Sequence, residues 1–144
     1  MVVADVIAEI EAVAPPDTAM QWDNVGLQVG SPDAPCHGVL VCLEVTREVA
    51  DEAARVGADL IVSHHPLIFS PLTALRTDRP LGALIRRLLQ DGAVVYAAHT
   101  NLDAAPQIGT AAALAQALGL EDFVPLMVEG EVGMGAVGKM PEAL

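Results

Sequence analysis

Short apolar runs and helical repeats of apolar residues alternate along the middle of the chain. Continuous apolar runs are typical of strands covered on both faces, and three of them stand at residues 38–45, 58–63 and 93–98. Apolar residues spaced for one face of a helix predict the elements between them, at residues 46–57 and 80–92. Strands that alternate with helices indicate right-handed crossovers and a parallel sheet. The predicted fold class is therefore α/β, with a parallel-sheet βαβ core and helices on both faces.

The flanking segments predict further helices and one long connection. Apolar residues at helical spacing predict an amphipathic helix over residues 2–14, which the two prolines that follow bring to an end. Residues 17–35 are rich in Gly, Pro, Asp and Asn and predict a long connection with room for a short strand. Connections of this length are often functional. A further helix is predicted at residues 110–118, before a Gly-rich tail with weak strand character at residues 123–140.

Composition and charge narrow the classes of protein that this sequence fits. Its 144 residues, 53% of them hydrophobic, suffice for the core of one domain, so residues 1–144 are expected to form a single domain. The net charge of −12 repels nucleic acids and anionic membrane surfaces, so neither is an expected partner. The N-terminus lacks the two regions of a signal peptide, and no apolar run is long enough to span a bilayer. We therefore expect a cytoplasmic protein.

Two cysteines and one tryptophan have structural interpretations that we prefer over chemical ones. The spacing of the cysteines completes neither a zinc nor a redox motif. Cys42 is predicted to be a small buried strand residue and Cys36 a loop residue. In the long connection, Trp22 is interpreted as a core residue, with Asp23 and Asn24 fixing a turn.

Three of the four histidines follow two successive predicted strands. His64 and His65 close the second strand, and His99 and Asp103 follow the third. Ligands of open parallel sheets bind outside the carboxyl ends of the strands. A crossover with a single helix makes these two strand ends neighbours in space. Pro66 bends the chain out of the sheet, which allows the adjacent histidines to serve one site.

These side chains favour a site for two divalent metal ions. Imidazole ligates zinc, iron, manganese, cobalt or nickel, and a carboxylate adds the negative charge that such ions need. The predicted ligands are His64, His65 and Asp103, and a metal-bound water would be the nucleophile of a hydrolysis. Two alternatives stay open: His99 as a satisfied core or supporting group, and Asp103 as a turn residue. The fourth histidine, His37, is expected at the surface.

Three motifs in this order resemble the NIF-three-like family, often described as GTP cyclohydrolase I type 2 homologues. They are Trp22-Asp23-Asn24-Val25-Gly26-Leu27, then Ser63-His64-His65-Pro66-Leu67-Ile68-Phe69, then His99-Thr100-Asn101-Leu102-Asp103-Ala104-Ala105. The resemblance extends over nearly the whole chain and implies a NIF-three-like fold. It also implies that His64, His65 and Asp103 bind part of a dinuclear metal centre, whose remaining histidine and glutamate come from a C-terminal segment in that family.

The sequence departs from the family pattern in three places. Residues 133–139 resemble the family's entry to its second half, and the sequence ends five residues later, before the last two ligands. We therefore expect an incomplete domain, truncated before the second half, with weakened metal binding. Glu44 stands where an aspartate is usual, and Pro106-Gln107-Ile108-Gly109 replaces a Gly-Gly turn.

The sequence leaves three interpretations of the function open. A metal-dependent hydrolase that acts on a nucleotide or a phosphorylated small molecule is preferred, and this substrate class rests on the resemblance alone. The alternative is a non-catalytic metal-binding or protein-interaction module that stores, senses or delivers a metal. A degenerate fragment with only a structural use is a third interpretation.

The resemblance implies a ring-shaped homohexamer. An incomplete, apolar half-sheet also has a physical reason to form homo-oligomers, because association would cover its exposed apolar surface.

Overall fold

A computed structural model describes residues 1–106, 108–129 and 132–141. Gln107, within the departure noted at Pro106, and Gly130 and Glu131, within the Gly-rich tail, lie outside the described residues. The helices are α1 (Val3–Val13), α2 (Arg47–Val56), α3 (Pro80–Gln90), α4 (Thr100–Asp103) and α5 (Thr110–Ala117), with a 3-10 turn at Pro16–Thr18. The strands are β1 (Gly26–Val29), β2 (Val39–Cys42), β3 (Leu60–Ser63), β4 (Val94–Ala97), β5 (Glu121–Val124), β6 (Met127–Glu129), β7 (Val132–Met134) and β8 (Val137–Lys139).

A four-stranded sheet in the order β1-β4-β3-β2 forms the centre of the fold. The neighbours β2, β3 and β4 are parallel, as the alternation of strands and helices predicts, so the α/β class with a βαβ core is confirmed. The fourth strand, β1, pairs antiparallel with β4. The predicted parallel core therefore gains an antiparallel edge strand, because the short strand that the sequence allows in the long connection reaches the open edge of β4.

The ends of α2 follow local sequence signals. The Thr46 hydroxyl accepts a hydrogen bond from the Val49 backbone N–H at 3.3 Å and so caps the first turn. Gly57 ends the helix in the left-handed conformation, with φ of 71°, which suits a residue without a side chain. Pro80 occupies the first turn of α3, where backbone N–H groups have no acceptor within the helix, so the N–H that proline lacks costs no hydrogen bond. These signals set where each crossover helix begins and ends.

Helices cover both faces of the sheet. One face packs against α2 and α3, through a buried cluster that includes Ala50 and Ala53 of α2, Ile85 and Leu88 of α3, Ile61 of β3 and Val95 of β4. The other face packs against α1, through a second cluster that includes Val3, Leu60, Val94 and Tyr96. The Tyr96 hydroxyl donates to the Glu11 carboxylate at 3.1 Å and ties α1 to β4. Burial, reinforced by the charge of Glu11, raises the pKa of Tyr96.

Two expectations about core residues are wrong. The first concerns Cys42 of β2, which was predicted to be buried and is only half-buried. Cys36 lies in a loop, as predicted, but it is only 7% exposed and packs in the α1-side cluster. Burial raises the pKa of both thiols. The second concerns Trp22, which is 62% exposed and does not lie in the core.

Within the described residues, no helix combines the length and apolarity needed to cross a bilayer.

Candidate metal centre

The carboxyl ends of β2, β3 and β4 meet at one edge of the sheet and carry the candidate site. Backbone pairing continues for a short distance beyond the strands, because the N–H groups of His64 and His65 donate to the carbonyls of Cys42 and Leu43, at 3.1 and 2.8 Å. This continued pairing fixes where both histidines leave the sheet. It also places Glu44, which follows β2, beside His65.

Three imidazole rings form a compact cluster at this edge. The ring centroids of His64 and His65 are 5.3 Å apart, and that of His99 lies 5.1 Å from His64 and 5.8 Å from His65. One ring nitrogen of each histidine lies within 4.8 Å of those of the other two. His99, for which a core role remained open in the sequence, therefore faces the same space as the adjacent pair.

Each of the three rings is held through its Nδ1 atom by an oxygen. His64 pairs with the Ala98 carbonyl at 3.0 Å, His65 with the Glu44 carboxylate at 2.9 Å, and His99 with the Asp23 carboxylate at 2.9 Å. An oxygen at this position accepts a hydrogen bond from Nδ1–H, so in the neutral ring the lone pair lies on Nε2. Metal-binding histidines are oriented in this way, since the acceptor fixes the tautomer and raises the basicity of the other nitrogen.

Asp103 lies next to the histidine cluster, at the end of α4. Its Oδ1 atom is 3.6 Å from Nε2 of His64 and accepts a hydrogen bond from the Thr110 hydroxyl at 2.6 Å. The two side chains of the pair are 20% and 19% exposed, so water reaches them. Asp103 also lines one end of a cavity of about 290 Å³ whose other walls are largely apolar, with Phe123, Val128 and Ala112 among them. The structure thus places the predicted ligand Asp103 beside His64, whereas the side chains close enough to share one ion are those of His64, His65 and His99.

Asp23 is the site residue that sequence reasoning missed. Its side chain is 0% exposed, and the carboxylate accepts hydrogen bonds from His99 Nδ1 and from the backbone and hydroxyl of Thr100. Burial acts to raise the pKa of Asp23, but the hydrogen bonds from Thr100, His99 and the Asn24 backbone outweigh it, so the pKa lies below its ordinary value. A charged carboxylate therefore stands behind His99.

Asp23 also fixes the turn that the sequence predicts, because it accepts the Asn24 backbone N–H at 2.8 Å. The prediction of a turn is correct, but Asp23 also orients the His99 ring. Its partners in this second role, His99 and Thr100, are 76 and 77 positions away along the chain. The position of Asp23 inside the first of the three shared motifs was the only available hint.

Two further polar residues hold the cluster in place. The Asn101 side chain, fully buried, accepts the His99 backbone N–H at 2.9 Å and donates to the Ala14 carbonyl at 2.7 Å. Glu44, where an aspartate is usual, still reaches His65, although its side chain is 62% exposed. His37 lies outside the site: its side chain is 79% exposed and pairs with Asp59, as the prediction of a surface position requires.

The donor set suits a transition metal. Three imidazoles, each with Nδ1 paired to an oxygen, and one carboxylate match the ligands of zinc and of the neighbouring divalent metals. A purely structural histidine cluster would have no reason to bring three lone-pair nitrogens close together without hydrogen-bond donors between them. The residues therefore fit a metal ion, which His64, His65 and His99 could hold with Asp103 beside them.

Fold and site together define an α/β protein with a histidine cluster that could hold a metal ion at the carboxyl edge of its parallel strands. The chain belongs to the Duf34/NIF3 (NGG1p interacting factor 3) family, whose model matches residues 1–144. The resemblance that the three motifs indicate is thereby confirmed.

Relatives with known sequences carry the name "GTP cyclohydrolase 1 type 2 homolog". This chain is 42% identical over 118 residues to such a protein from Halalkalibacterium halodurans, covering 82% of this chain and 32% of that one. It is 43% identical over 123 residues to one from Staphylococcus aureus, covering 85% and 33%. The chain therefore spans about a third of the length of these curated relatives.

Solved structures agree with this assignment. A Bacillus cereus protein related to NIF3 superposes with a TM-score of 0.83 at 42% identity, covering 88% of this chain and 35% of that one. Reduced HcgD from Methanocaldococcus jannaschii superposes with a TM-score of 0.86 at 33% identity, covering 97% and 54%. The similarity to HcgD extends over nearly the whole length of this chain.

Proposed function

We propose that this chain supplies one part of a dinuclear metal centre in a metal-dependent hydrolase. The observation that carries the proposal is the common orientation of three imidazoles, each with Nδ1 paired to an oxygen and Nε2 left for a metal. His64, His65 and Asp103 are the proposed ligands, with His99 as a further donor to the same ions. Divalent ions in such a site supply Lewis acidity and activate water for hydrolysis.

The protein's own residues give the site its chemical character. Glu44 and Asp23 orient His65 and His99 and, with Asp103, add negative charge that balances divalent ions. Bound ions would also offset the net charge of −12 that otherwise repels an anionic substrate. A nucleotide or a phosphorylated small molecule is therefore the proposed substrate class, in keeping with the name that the relatives carry.

A non-catalytic metal-binding module is the second candidate. Three imidazoles and one carboxylate are enough to close the coordination of a single tetrahedral ion, which is the arrangement of a structural or storage site. A catalytic site keeps a position open for water or substrate. The closeness of the three ring nitrogens, all within 4.8 Å of one another, with Asp103 beside His64, favours this alternative.

Metal content measured together with turnover separates the two candidates. Protein purified without chelators is analysed by mass spectrometry for metal per chain and assayed with GTP and a panel of phosphoesters. His64→Ala and His65→Ala should each lose metal, whereas His37→Ala, at an exposed histidine outside the cluster, should retain it. Two ions per chain with metal-dependent turnover support the hydrolase. One ion without turnover supports the binding module, and equal metal content in all variants refutes both.

We further propose that the chain forms homo-oligomers through the outer face of β2. Val39 and Val41 lie on one face of this edge strand, and Leu43 follows directly after it; their side chains are 45%, 77% and 61% exposed. The partners of the two valines in β3, Leu60 and Val62, lie on the sheet face that packs against α1. On this face α1 covers β3 and β4 and leaves β2 uncovered. An apolar strip on an edge strand favours association. Analytical ultracentrifugation tests this, and a monomer at every concentration would contradict it.

A further inference from the structure

Two of the four aromatic side chains of this protein are exposed beside the histidine cluster. Trp22 is 62% exposed and Phe69 is 51% exposed, although both could have contributed to a core that has few aromatic rings. Their ring centroids are 6.1 Å apart, with the ring planes at 52°. The Trp22 ring also lies 6.4 Å from that of His99, edge to face. The exposed aromatic pair, Trp22 with Phe69, therefore borders the candidate metal centre directly.

The two loops that carry this pair are tied to each other by polar contacts. The Asn24 side-chain amide donates to the Ile68 carbonyl, and the Ile68 N–H donates to the Gln28 side-chain carbonyl at 2.8 Å. The Gln28 amide in turn donates to the Asn24 carbonyl at 2.6 Å. Asn24 is two residues from Trp22 and Ile68 is adjacent to Phe69, so this network holds the two loops together at the base of the two rings, which also contact each other. Exposed rings held by their surroundings are organised before a ligand arrives, which lowers the entropic cost of binding.

We propose that the exposed aromatic pair is a stacking site for a planar nitrogen heterocycle, which it presents to the adjacent histidine cluster. Aromatic faces bind planar rings of any base by stacking, with little dependence on the pattern of hydrogen-bonding groups. Three carboxylates, those of Asp23, Glu44 and Asp103, lie around the histidines, so the local charge favours a neutral or cationic ring. The inference rests on the proposed function only in treating the bound ring as part of a substrate.

The single tryptophan makes this site directly observable. Trp22 is the only Trp in the chain, so intrinsic fluorescence excited at the red edge of the Trp band reports on this position alone. Guanosine, cationic 7-methylguanosine and, as a ring-free control, ribose are titrated into the full chain, both after chelation and after metal loading. We expect saturable quenching by both nucleosides, tighter for 7-methylguanosine, and none by ribose. Quenching should occur in both states, and the preference for 7-methylguanosine should be larger in the chelated protein, because bound ions balance the three carboxylates. Failure of the hydrolase proposal would therefore leave the result for the chelated protein unaffected.

Matched variants separate stacking from simple apolar contact. Phe69→Ala should weaken nucleoside binding about 5-fold or more, the lower end of the loss expected for one stacking partner. Phe69→Leu, which keeps apolar bulk but not the ring, should weaken it nearly as much. Leu72→Ala, at a 43% exposed position in the same loop, should leave it unchanged. Circular dichroism of each variant verifies the fold.

Three results would overturn the proposal. The first is the absence of quenching by either nucleoside at millimolar concentration. The second is equal affinity in Phe69→Ala and the parent protein. The third is a blue shift of the Trp22 emission that follows protein concentration without any ligand, because it would mean that a second copy of the chain covers the aromatic pair.

Discussion

Replacing Asp23 with Asn removes the charge behind His99 while leaving the size of the side chain unchanged. In the parent protein one carboxylate accepts from four donors: Nδ1 of His99, the Asn24 backbone N–H, and the backbone N–H and hydroxyl of Thr100. An amide presents one oxygen and one NH2 group in the same space. The NH2 group must therefore face either His99 or Thr100, and each choice has a cost.

If the NH2 group faces His99, Nδ1 becomes the acceptor and the ring proton moves to Nε2. That tautomer cannot ligate a metal through Nε2. If the NH2 group faces Thr100 instead, the buried backbone N–H loses its acceptor, and His99 keeps only a neutral partner. Loss of an acceptor that orients a metal-binding histidine typically lowers metal affinity by about 10- to 100-fold. This corresponds to about 1.4–2.7 kcal/mol of binding free energy.

The same substitution lowers the stability of the metal-free protein in a pH-dependent way. An unsatisfied or weakened buried hydrogen bond costs about 1–3 kcal/mol of unfolding free energy. The pKa of Asp23 is depressed in the folded state, from an ordinary value of 3.8. Its stabilising contribution is therefore complete at pH values above 3.8 and is lost as the pH falls through the lower, folded-state pKa. The stability difference between parent and variant should be full at neutral pH and shrink in acid.

Isothermal titration with zinc and urea unfolding at several pH values measure both effects. Asp17→Asn is the matched control, because it makes the same charge change at an exposed position in the preceding turn. Asp17→Asn should leave affinity and stability unchanged. Equal zinc affinity in Asp23→Asn and Asp17→Asn would refute the role assigned to Asp23. A stability difference that grows as the pH falls would refute the sign of its pKa shift.

Three further predictions test other features of the structure. Ser63→Ala should raise the unfolding free energy by about 1 kcal/mol in urea, because the buried Ser63 hydroxyl has no hydrogen-bond partner among the described residues; a loss of stability would contradict this. Gly82→Ala should lower stability by about 1–3 kcal/mol despite the better helix propensity of Ala, since the new Cβ would lie 2.1 Å from the Arg76 carbonyl oxygen; a stabilised variant would mean that this contact relaxes freely. Val41→Lys should shift the chain toward monomer in sedimentation, whereas Leu114→Lys, exposed on α5, should not, and identical profiles would exclude β2 as the interface.

Patterns that are local in sequence determined most of the fold. Continuous apolar runs located β2, β3 and β4 because a strand covered on both faces has no polar side to show. Thr46 and Gly57 marked the ends of α2 because a hydroxyl cap and a left-handed glycine act on backbone groups within a few residues. The same locality explains how the candidate site was located, since His64 and His65 stand next to each other at a predictable strand end.

Only the tertiary structure decided which side chains support that site. Asp23 lies on a loop far from His99 in sequence, and nothing local distinguishes a carboxylate that fixes a turn from one that also orients an imidazole. Trp22 was expected in the core because large apolar residues usually lie there, yet its position beside His99 leaves it exposed. The antiparallel pairing of β1 with β4 likewise depends on which edge of the sheet is free. Contacts between residues distant along the chain, which no local pattern encodes, fix all three.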